Sequence, residues 1–211
     1  MGQYDNTLFV YIVGDNGASA EGGLLGSSNY LGDLQGLQSN LASFADDPQA
    51  LLGEHSYAHY NSGWAWATDT PFQWTKQVAS HLGGTRNPMV LAWPARIRDR
   101  GGLRQQFGHV NDIVPTILEA AGIAAPASVN GVAQRPMDGT SLAYTFADAK
   151  AAERHTTQYF EIYGNRAIYH DGWMASAFRG RVPWNVISAP RSTDFAADRW
   201  ELYDPVSYTH L

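Results

Sequence analysis

The chain has 211 residues, 44% of them hydrophobic and 12% aromatic, which is enough apolar material to bury one sizeable core. Its formal net charge of -6 and its scattered basic residues argue against a nucleic-acid partner, because phosphate backbones bind basic stripes. The longest apolar run, residues 7–13, is strand-sized and too short to span a bilayer, so no membrane partner is expected. The absence of cysteine excludes disulfides, thiolate metal sites and a cysteine nucleophile within these residues, and the compartment stays open.

The apolar run TLFVYIV at residues 7–13 predicts a strand covered on both faces, as in a parallel sheet. It ends at Gly14-Asp15-Asn16-Gly17, where an open α/β sheet usually places its ligands. Asp15 offers a carboxylate and Asn16 an amide carbonyl, and both are the hard oxygen donors that calcium prefers. The pair is a candidate metal site, although Asp-Asn-Gly after a strand is also an ordinary turn.

The next region, residues 18–70, is rich in Gly, Ser, Asn and aromatics and has little periodicity, which is typical of a functional loop. Two alternatives stay open for its histidines and aromatics: they line a pocket for an aryl group, or they pack in the core. These residues are His55, His59, Trp64 and Trp66, together with Phe72 and Trp74 between this region and Lys76. The segment MVLAW that follows Pro88 predicts a short strand of the same sheet.

Residues 112–122, DIVPTILEAAG, predict a helix with Asp112 as N-cap, Pro115 in the first turn and Gly122 at the end. His109 stands just before it, and either contacts the site or bonds a nearby carbonyl or carboxylate in a structural role. Further along, residues 157–162, 166–170 and 173–178 predict a small antiparallel sheet. Its two turns are predicted at Gly164-Asn165 and Asp171-Gly172.

Five sequence blocks, in one order and reaching almost from end to end of the chain, resemble the sulfatase branch of the alkaline phosphatase superfamily. They look most like the bacterial arylsulfatases. The blocks are FVYIVGDNG at residues 9–17, TKQVASHLGGTRNP at 75–88, HVNDIVPTILEAAGI at 109–123, MDGTSL at 137–142 and WELYD at 200–204. Such a series is far more specific than any one of its members.

The resemblance implies a calcium ion held partly by Asp15 and Asn16, with a small-molecule sulfate ester as the substrate. Lys76 would be the catalytic residue of this chain, because its ammonium group would neutralise charge on the sulfate. His81 and His109 would join Lys76 in binding substrate. His81 gains weight because the gap between the lysine and the paired glycines is one residue longer than in the family.

The resemblance also implies an α/β fold with a mixed, mostly parallel sheet flanked by helices. Residues 1–124 would be the C-terminal part of the catalytic domain, residues 125–205 a small antiparallel-sheet subdomain, and residues 206–211 a non-native tail. The family's formylglycine nucleophile arises from a Cys or Ser-x-Pro-x-Arg motif, which this sequence lacks, as it lacks the family's amino-terminal pair of aspartates. A missing amino-terminal half of the same protein is therefore expected as the partner that completes the site.

The function expected of that parent protein is hydrolysis of aryl or alkyl sulfate monoesters by a calcium-bound formylglycine. The chain alone is expected to be inactive and to bind calcium weakly, because two oxygen ligands cannot fill the shell that calcium prefers. Two alternatives stay open. One is a phosphonate or phosphate ester hydrolase of the same superfamily, and the other is a noncatalytic relative that binds sulfated ligands.

Overall fold

A computed structural model describes residues 2–14, 16–37, 42, 45, 47–54, 56–184 and 194–205 of the chain. Asp15, His55 and the predicted tail at residues 206–211 therefore lie outside the described residues. The described helices are α1 (Tyr30–Leu34), α2 (Ser62–Asp69) and α3 (Ile113–Ala121). The described strands are β1 (Phe9–Ile12), β2 (Met89–Ala92), β3 (Ser128–Val129), β4 (Val132–Ala133), β5 (Thr157–Ile162), β6 (Asn165–His170), β7 (Trp173–Ala177) and β8 (Glu201–Tyr203). None of these helices is long and apolar enough to cross a membrane.

The chain divides into two compact units whose segments alternate along the sequence. The first unit consists of Met1–Tyr11, Met89–Gln158 and Tyr169–Gly172. The second consists of Ile12–Pro88, Tyr159–Ile168 and Trp173–Leu211. The predicted boundary between residues 124 and 125 stays a prediction.

Strands β1 and β2 form a two-stranded sheet, which confirms the prediction that both segments are strands of one sheet. The prediction that β1 is covered on both faces is wrong for the described structure, because Phe9 is 44% and Tyr11 65% exposed. The physical reason is that β2 is the only strand beside β1 in the described sheet, and two strands offer little surface for packing. The parallel arrangement predicted for the fold stays a prediction.

Helix α3 begins directly after Asp112 and ends at Gly122, as predicted, and the φ of 67° at Gly122 is the left-handed conformation of a C-cap. Asp112 thus occupies the predicted N-cap position, but its side chain makes no cap hydrogen bond to α3. Its Oδ2 instead accepts from the His109 backbone nitrogen at 2.8 Å, and its Oδ1 accepts from the Thr140 nitrogen at 2.7 Å. The His155 Nδ1 lies 2.7 Å from the same Oδ1, so the fully buried Asp112 joins three separate segments of the first unit.

The four-stranded sheet has the order β5-β6-β7-β8. The turns Tyr163-Gly164 and Asp171-Gly172 each have positive φ at both residues, the geometry of the tight turn that joins antiparallel strands. Strand β8 pairs antiparallel with β7. The small antiparallel sheet is thus confirmed, but its first turn lies one residue earlier than predicted. Asn165 is the first residue of β6, fully buried, and its Oδ1 accepts from the Arg179 nitrogen at 2.9 Å.

Candidate active site

The turn after β1 packs against backbone from a distant part of the second unit. Gly17 has a φ of 83°, and a Cβ there would overlap the carbonyl oxygen of Gly83 and lie 3.1 Å from the backbone nitrogen of Lys76. Only glycine satisfies both constraints, because other residues rarely adopt this φ and all carry a Cβ. The position next to Asn16 is therefore held against the backbone of Lys76.

Ala18 ties the same segment to two further elements through its backbone. Its carbonyl oxygen accepts a 3.0 Å hydrogen bond from the Lys76 nitrogen. Its own nitrogen donates to both carboxylate oxygens of Asp69, at 2.9 and 3.1 Å, and Asp69 is the last residue of α2. Burial raises the pKa of Asp69, and the Ala18 hydrogen bond acts in the opposite direction. The segment is thus fixed between α2 and Lys76.

Asn87 connects the two ends of the turn. Val13 donates a 3.0 Å hydrogen bond to the carbonyl oxygen of Pro88. This bond brings Asn87, the residue before Pro88, close to the turn. The Asn87 Oδ1 accepts a long hydrogen bond of 3.4 Å from the Gly17 nitrogen and would lie 3.2 Å from a Cβ on Gly14. The Asn-Pro of the second sequence block therefore has a structural role at the turn.

Lys76 projects from a firmly buried segment. Thr75 and Val78 on either side of it are fully buried, whereas the Lys76 side chain is half-buried. The paired glycines allow close packing behind it, because the Gly83 nitrogen donates to the Gln73 carbonyl at 3.0 Å and a Cβ on Gly84 would overlap the Val78 carbonyl oxygen. The base of the lysine is consequently fixed, while the residue as a whole stays partly exposed.

Glu21 is a residue that the sequence reasoning missed. Its carboxylate accepts from the Tyr30 hydroxyl at 2.6 Å and from the Gln77 Nε2. Burial acts to raise the pKa of Glu21, but these two hydrogen bonds and the positive charges of Lys76 and His59 outweigh it, so the pKa lies below its usual value. Burial and the neighbouring carboxylate raise the pKa of Tyr30 to about 12. An ionised carboxylate therefore stands within electrostatic reach of Lys76.

His59 lies at the edge of this group. Its Nδ1 is 2.9 Å from the carbonyl oxygen of Tyr60, and its Nε2 is 2.9 Å from the Ser19 hydroxyl. Since a carbonyl only accepts, Nδ1 carries a proton. The ring also lies beside that of Tyr30, with centroids 5.1 Å apart. His59 is thus a neighbour of the Glu21 cluster.

His81 lies in an aromatic cluster of the second unit. It is 4% exposed, and its Nδ1 is 2.8 Å from the Ser80 hydroxyl. The rings of Phe178 and Tyr203 meet it edge-on, with centroids 6.3 and 5.9 Å away. Burial lowers its pKa to about 4, with the charge of Glu201 acting the other way, so the ring is neutral at neutral pH. Its predicted role in substrate binding stays a prediction.

Among the aromatic residues before Lys76, some pack against other side chains and others are exposed to solvent. Trp74 stacks on Phe178 with centroids 4.2 Å apart, and Phe72 faces the Arg86 guanidinium at 4.8 Å. Trp64 and Trp66 on α2 are 65% and 41% exposed. Phe72 and Trp74 therefore make packing contacts, and whether the exposed indoles contact an aryl group stays a prediction.

His109 belongs to the first unit, whereas Asn16, Lys76 and His81 belong to the second. It caps the short turn before α3, where its Nδ1 accepts from the Asn111 nitrogen at 3.4 Å. Its ring centroid lies 6.4 Å from that of His155. These contacts are the structural role that the sequence left open, and its part in substrate binding stays a prediction.

Of the predicted metal pair, only Asn16 falls within the described residues, where it is half-buried. Its amide oxygen is of the kind that calcium binds, and it sits beside the fixed backbone of Gly17. Among the described residues, no group of three or more His, Asp or Glu side chains is placed to hold a metal ion. The described donors thus fit calcium in chemistry, but they supply less than the about six to eight oxygens that the ion takes.

The sequence of the chain is similar to those of known proteins. The family model described as Sulfatase matches residues 1–123, more than half of the chain. An uncharacterized sulfatase of Schizosaccharomyces pombe is similar, with 28% identity over 207 residues, or 97% of this chain and 33% of that protein. The chain therefore spans about a third of the length of this curated relative.

Proposed function

Since this chain belongs to the sulfatase family, we propose that it supplies part of the active site of a sulfuric ester hydrolase that cleaves aryl or alkyl sulfate monoesters. The family match supports a sulfatase-type hydrolase in general. The choice of aryl or alkyl sulfates rests on the arylsulfatase-like sequence blocks. The observation that supports the proposal is the packing of the segment after Asn16 against the backbone of Lys76, which joins the segment of an oxygen donor to the segment of a cation.

Lys76 has a clear electrostatic part in this proposal. A sulfate monoester carries negative charge on its nonbridging oxygens, and more charge develops on the leaving oxygen as the S–O bond breaks. A half-buried ammonium group stabilises such charge better than a fully hydrated one, because fewer water molecules screen it. The buried neighbours of Lys76 hold its base in place, which lowers the cost of reorienting it during the reaction.

Asp15 and Asn16 would hold part of a calcium shell in the same proposal. When bound, the ion would polarise the sulfate group as a Lewis acid. The remaining ligands and the formylglycine nucleophile would come from outside these 211 residues, whose sequence has no cysteine and no Ser-x-Pro-x-Arg motif. The active enzyme is accordingly proposed to be a longer polypeptide that contains this chain.

The experiment that tests the proposal measures how fast that longer polypeptide hydrolyses two different esters, both with calcium present and after its removal. We expect turnover of p-nitrophenyl sulfate to exceed that of p-nitrophenyl phosphate, and to fall when calcium is removed. A preference for the phosphate ester would instead support a phosphate ester hydrolase of the same superfamily. Binding of aryl sulfates without any turnover would support a noncatalytic relative, and either result would overturn the proposal.

A further inference from the structure

We propose that Glu21 is a positioning residue for Lys76: the Glu21 carboxylate, held by Tyr30 and Gln77, attracts the Lys76 ammonium and favours one region for it. The inference rests on the proposed function for the role of Lys76 in the reaction. Glu21 itself would not touch the sulfate group, since two anions in contact repel each other. Its effect on catalysis would pass entirely through the lysine.

A backbone hydrogen bond connects the segment of Glu21 to the segment of Lys76. The 3.0 Å hydrogen bond from the Lys76 nitrogen to the Ala18 carbonyl joins the Glu21 segment to the lysine segment. Ala20, next to Glu21, is fully buried, as is Thr75 next to Lys76. The bases of both side chains are therefore fixed relative to each other within the second unit.

The Glu21 carboxylate is held in place by two hydrogen bonds. Tyr30 donates to Oε2 and Gln77 donates to Oε1, so each oxygen has its own partner and the carboxylate cannot rotate freely. Gln77 directly follows Lys76 and has a φ of 75°, a conformation that is unfavourable for a residue other than glycine. The chain adopts this conformation where it brings the Gln77 amide to Glu21.

The surroundings of Glu21 favour its negative charge. Four groups act on the Glu21 carboxylate: Tyr30 and Gln77 by hydrogen bonds, Lys76 and His59 by their positive charge. Together they favour the ionised form, so Glu21 is an anion at neutral pH. A held anion attracts the ammonium of the flexible lysine and favours positions on the side of Glu21, which is the effect that a positioning residue has.

This arrangement predicts a specific kinetic signature. Removing the negative charge of Glu21 weakens the restraint on Lys76 and lowers kcat. The same change removes repulsion toward an anionic substrate, so KM stays the same or falls. A merely structural role would instead lower stability and raise KM together with the loss of kcat.

The first test needs no activity. The titration of the Glu21 carboxyl would be followed by carbon-13 NMR in this chain and in its Lys76→Met and Lys150→Met variants. Lys150 is the other lysine of the sequence and is exposed. We expect Lys76→Met alone to raise the pKa of Glu21, because it removes a neighbouring positive charge. An identical titration in all three proteins would overturn the proposal, whatever the enzyme does.

The second test uses the longer polypeptide with an aryl sulfate. We expect Glu21→Gln to lower kcat about tenfold or more without raising KM, since misplacing one catalytic group has effects of this size. Glu119→Gln removes an exposed carboxylate from α3 and should leave both constants unchanged. Glu21→Asp, which keeps the charge, should recover part of kcat. If kcat is unchanged in Glu21→Gln, the positioning role is wrong; if the wild type lacks turnover while the NMR result holds, only the sulfatase proposal fails.

Discussion

The backbone nitrogen of Lys76 donates a 3.0 Å hydrogen bond to the carbonyl oxygen of Ala18, two residues after Asn16. This bond joins the residue that directly follows the first sulfatase-like block, residues 9–17, to the second block, residues 75–88. Because it is formed by backbone atoms, it does not depend on the position of the flexible lysine side chain.

Gly17→Ala should destabilise the chain strongly, because the new Cβ would meet the Gly83 carbonyl oxygen as well as adopt an unfavourable φ of 83°. We expect a loss of about 3 kcal/mol or more in the free energy of unfolding. Gly23→Ala is the matched control, with a similar φ of 76° and no atom within 4 Å of its Cβ. It should cost only about 1 kcal/mol. Urea unfolding followed by tryptophan fluorescence measures both, and equal losses would show that the Gly17 contact is not tight.

The stability of the chain should fall in acid in a way that depends on His81. The pKa of the buried ring is about 4 in the folded chain, against a usual value near 6.5 in an unfolded one. Between these values the unfolded chain binds a proton that the folded chain does not, so stability is complete above about pH 6.5 and declines toward pH 4. The decline from this group should reach about 3 kcal/mol.

His81→Phe should remove that part of the pH dependence, because phenylalanine does not titrate and suits the aromatic surroundings. The control is His170→Phe, a side chain that is 65% exposed, which leaves the His81 contribution in place. Thermal unfolding from pH 7 to pH 4 measures the difference. Parallel curves for the wild type and His81→Phe would contradict the burial argument.

Asp112→Asn should weaken the first unit by about 3 kcal/mol, because the fully buried carboxylate accepts from His109, Thr140 and His155 and an amide cannot replace it. Asp171→Asn provides the control, since that carboxylate is 62% exposed and lies 3.4 Å from His170. It should change stability by less than about 1 kcal/mol. Chemical denaturation separates the two, and a small effect at Asp112 would show that its contacts are replaceable.

Local features of the fold could be read from the sequence because neighbouring residues determine them. Gly122 ends α3 through its own left-handed φ, and Asp171-Gly172 forms a tight turn for the same reason. Asp112 was placed correctly at the helix start, but its partners Thr140 and His155 are distant in the chain. No local pattern reveals such contacts.

The same limit applies to the candidate site. Asn16 was singled out by its place after a predicted strand and Lys76 through the resemblance to a family, whereas Glu21 and Asn87 were not singled out. Glu21 accepts a hydrogen bond from the Gln77 side chain, and Asn87 accepts one from the Gly17 nitrogen. Both contacts join residues that are far apart in the sequence. In the sequence alone, neither a glutamate before a glycine pair nor an asparagine before a proline indicates a functional residue.

Calcium should bind weakly to this chain alone. Asp15 and Asn16 supply two side-chain oxygens of the about six to eight that the ion prefers, and water would have to fill the rest. Titration calorimetry of the purified chain should therefore show an affinity weaker than micromolar. A micromolar or tighter constant would mean that this chain completes a calcium shell by itself, contrary to the proposal that other ligands come from elsewhere.

The most direct measurement of the central claim is kcat/KM for an aryl sulfate in the longer polypeptide, comparing the wild type with Lys76→Met and with Lys150→Met. If Lys76 stabilises the charge of the sulfate ester, its replacement should lower kcat/KM by about 100-fold or more. Replacement of the exposed Lys150 should leave kcat/KM unchanged. Equal activity of Lys76→Met and the wild type would contradict the account, because the site built around this lysine would then have no part in the reaction.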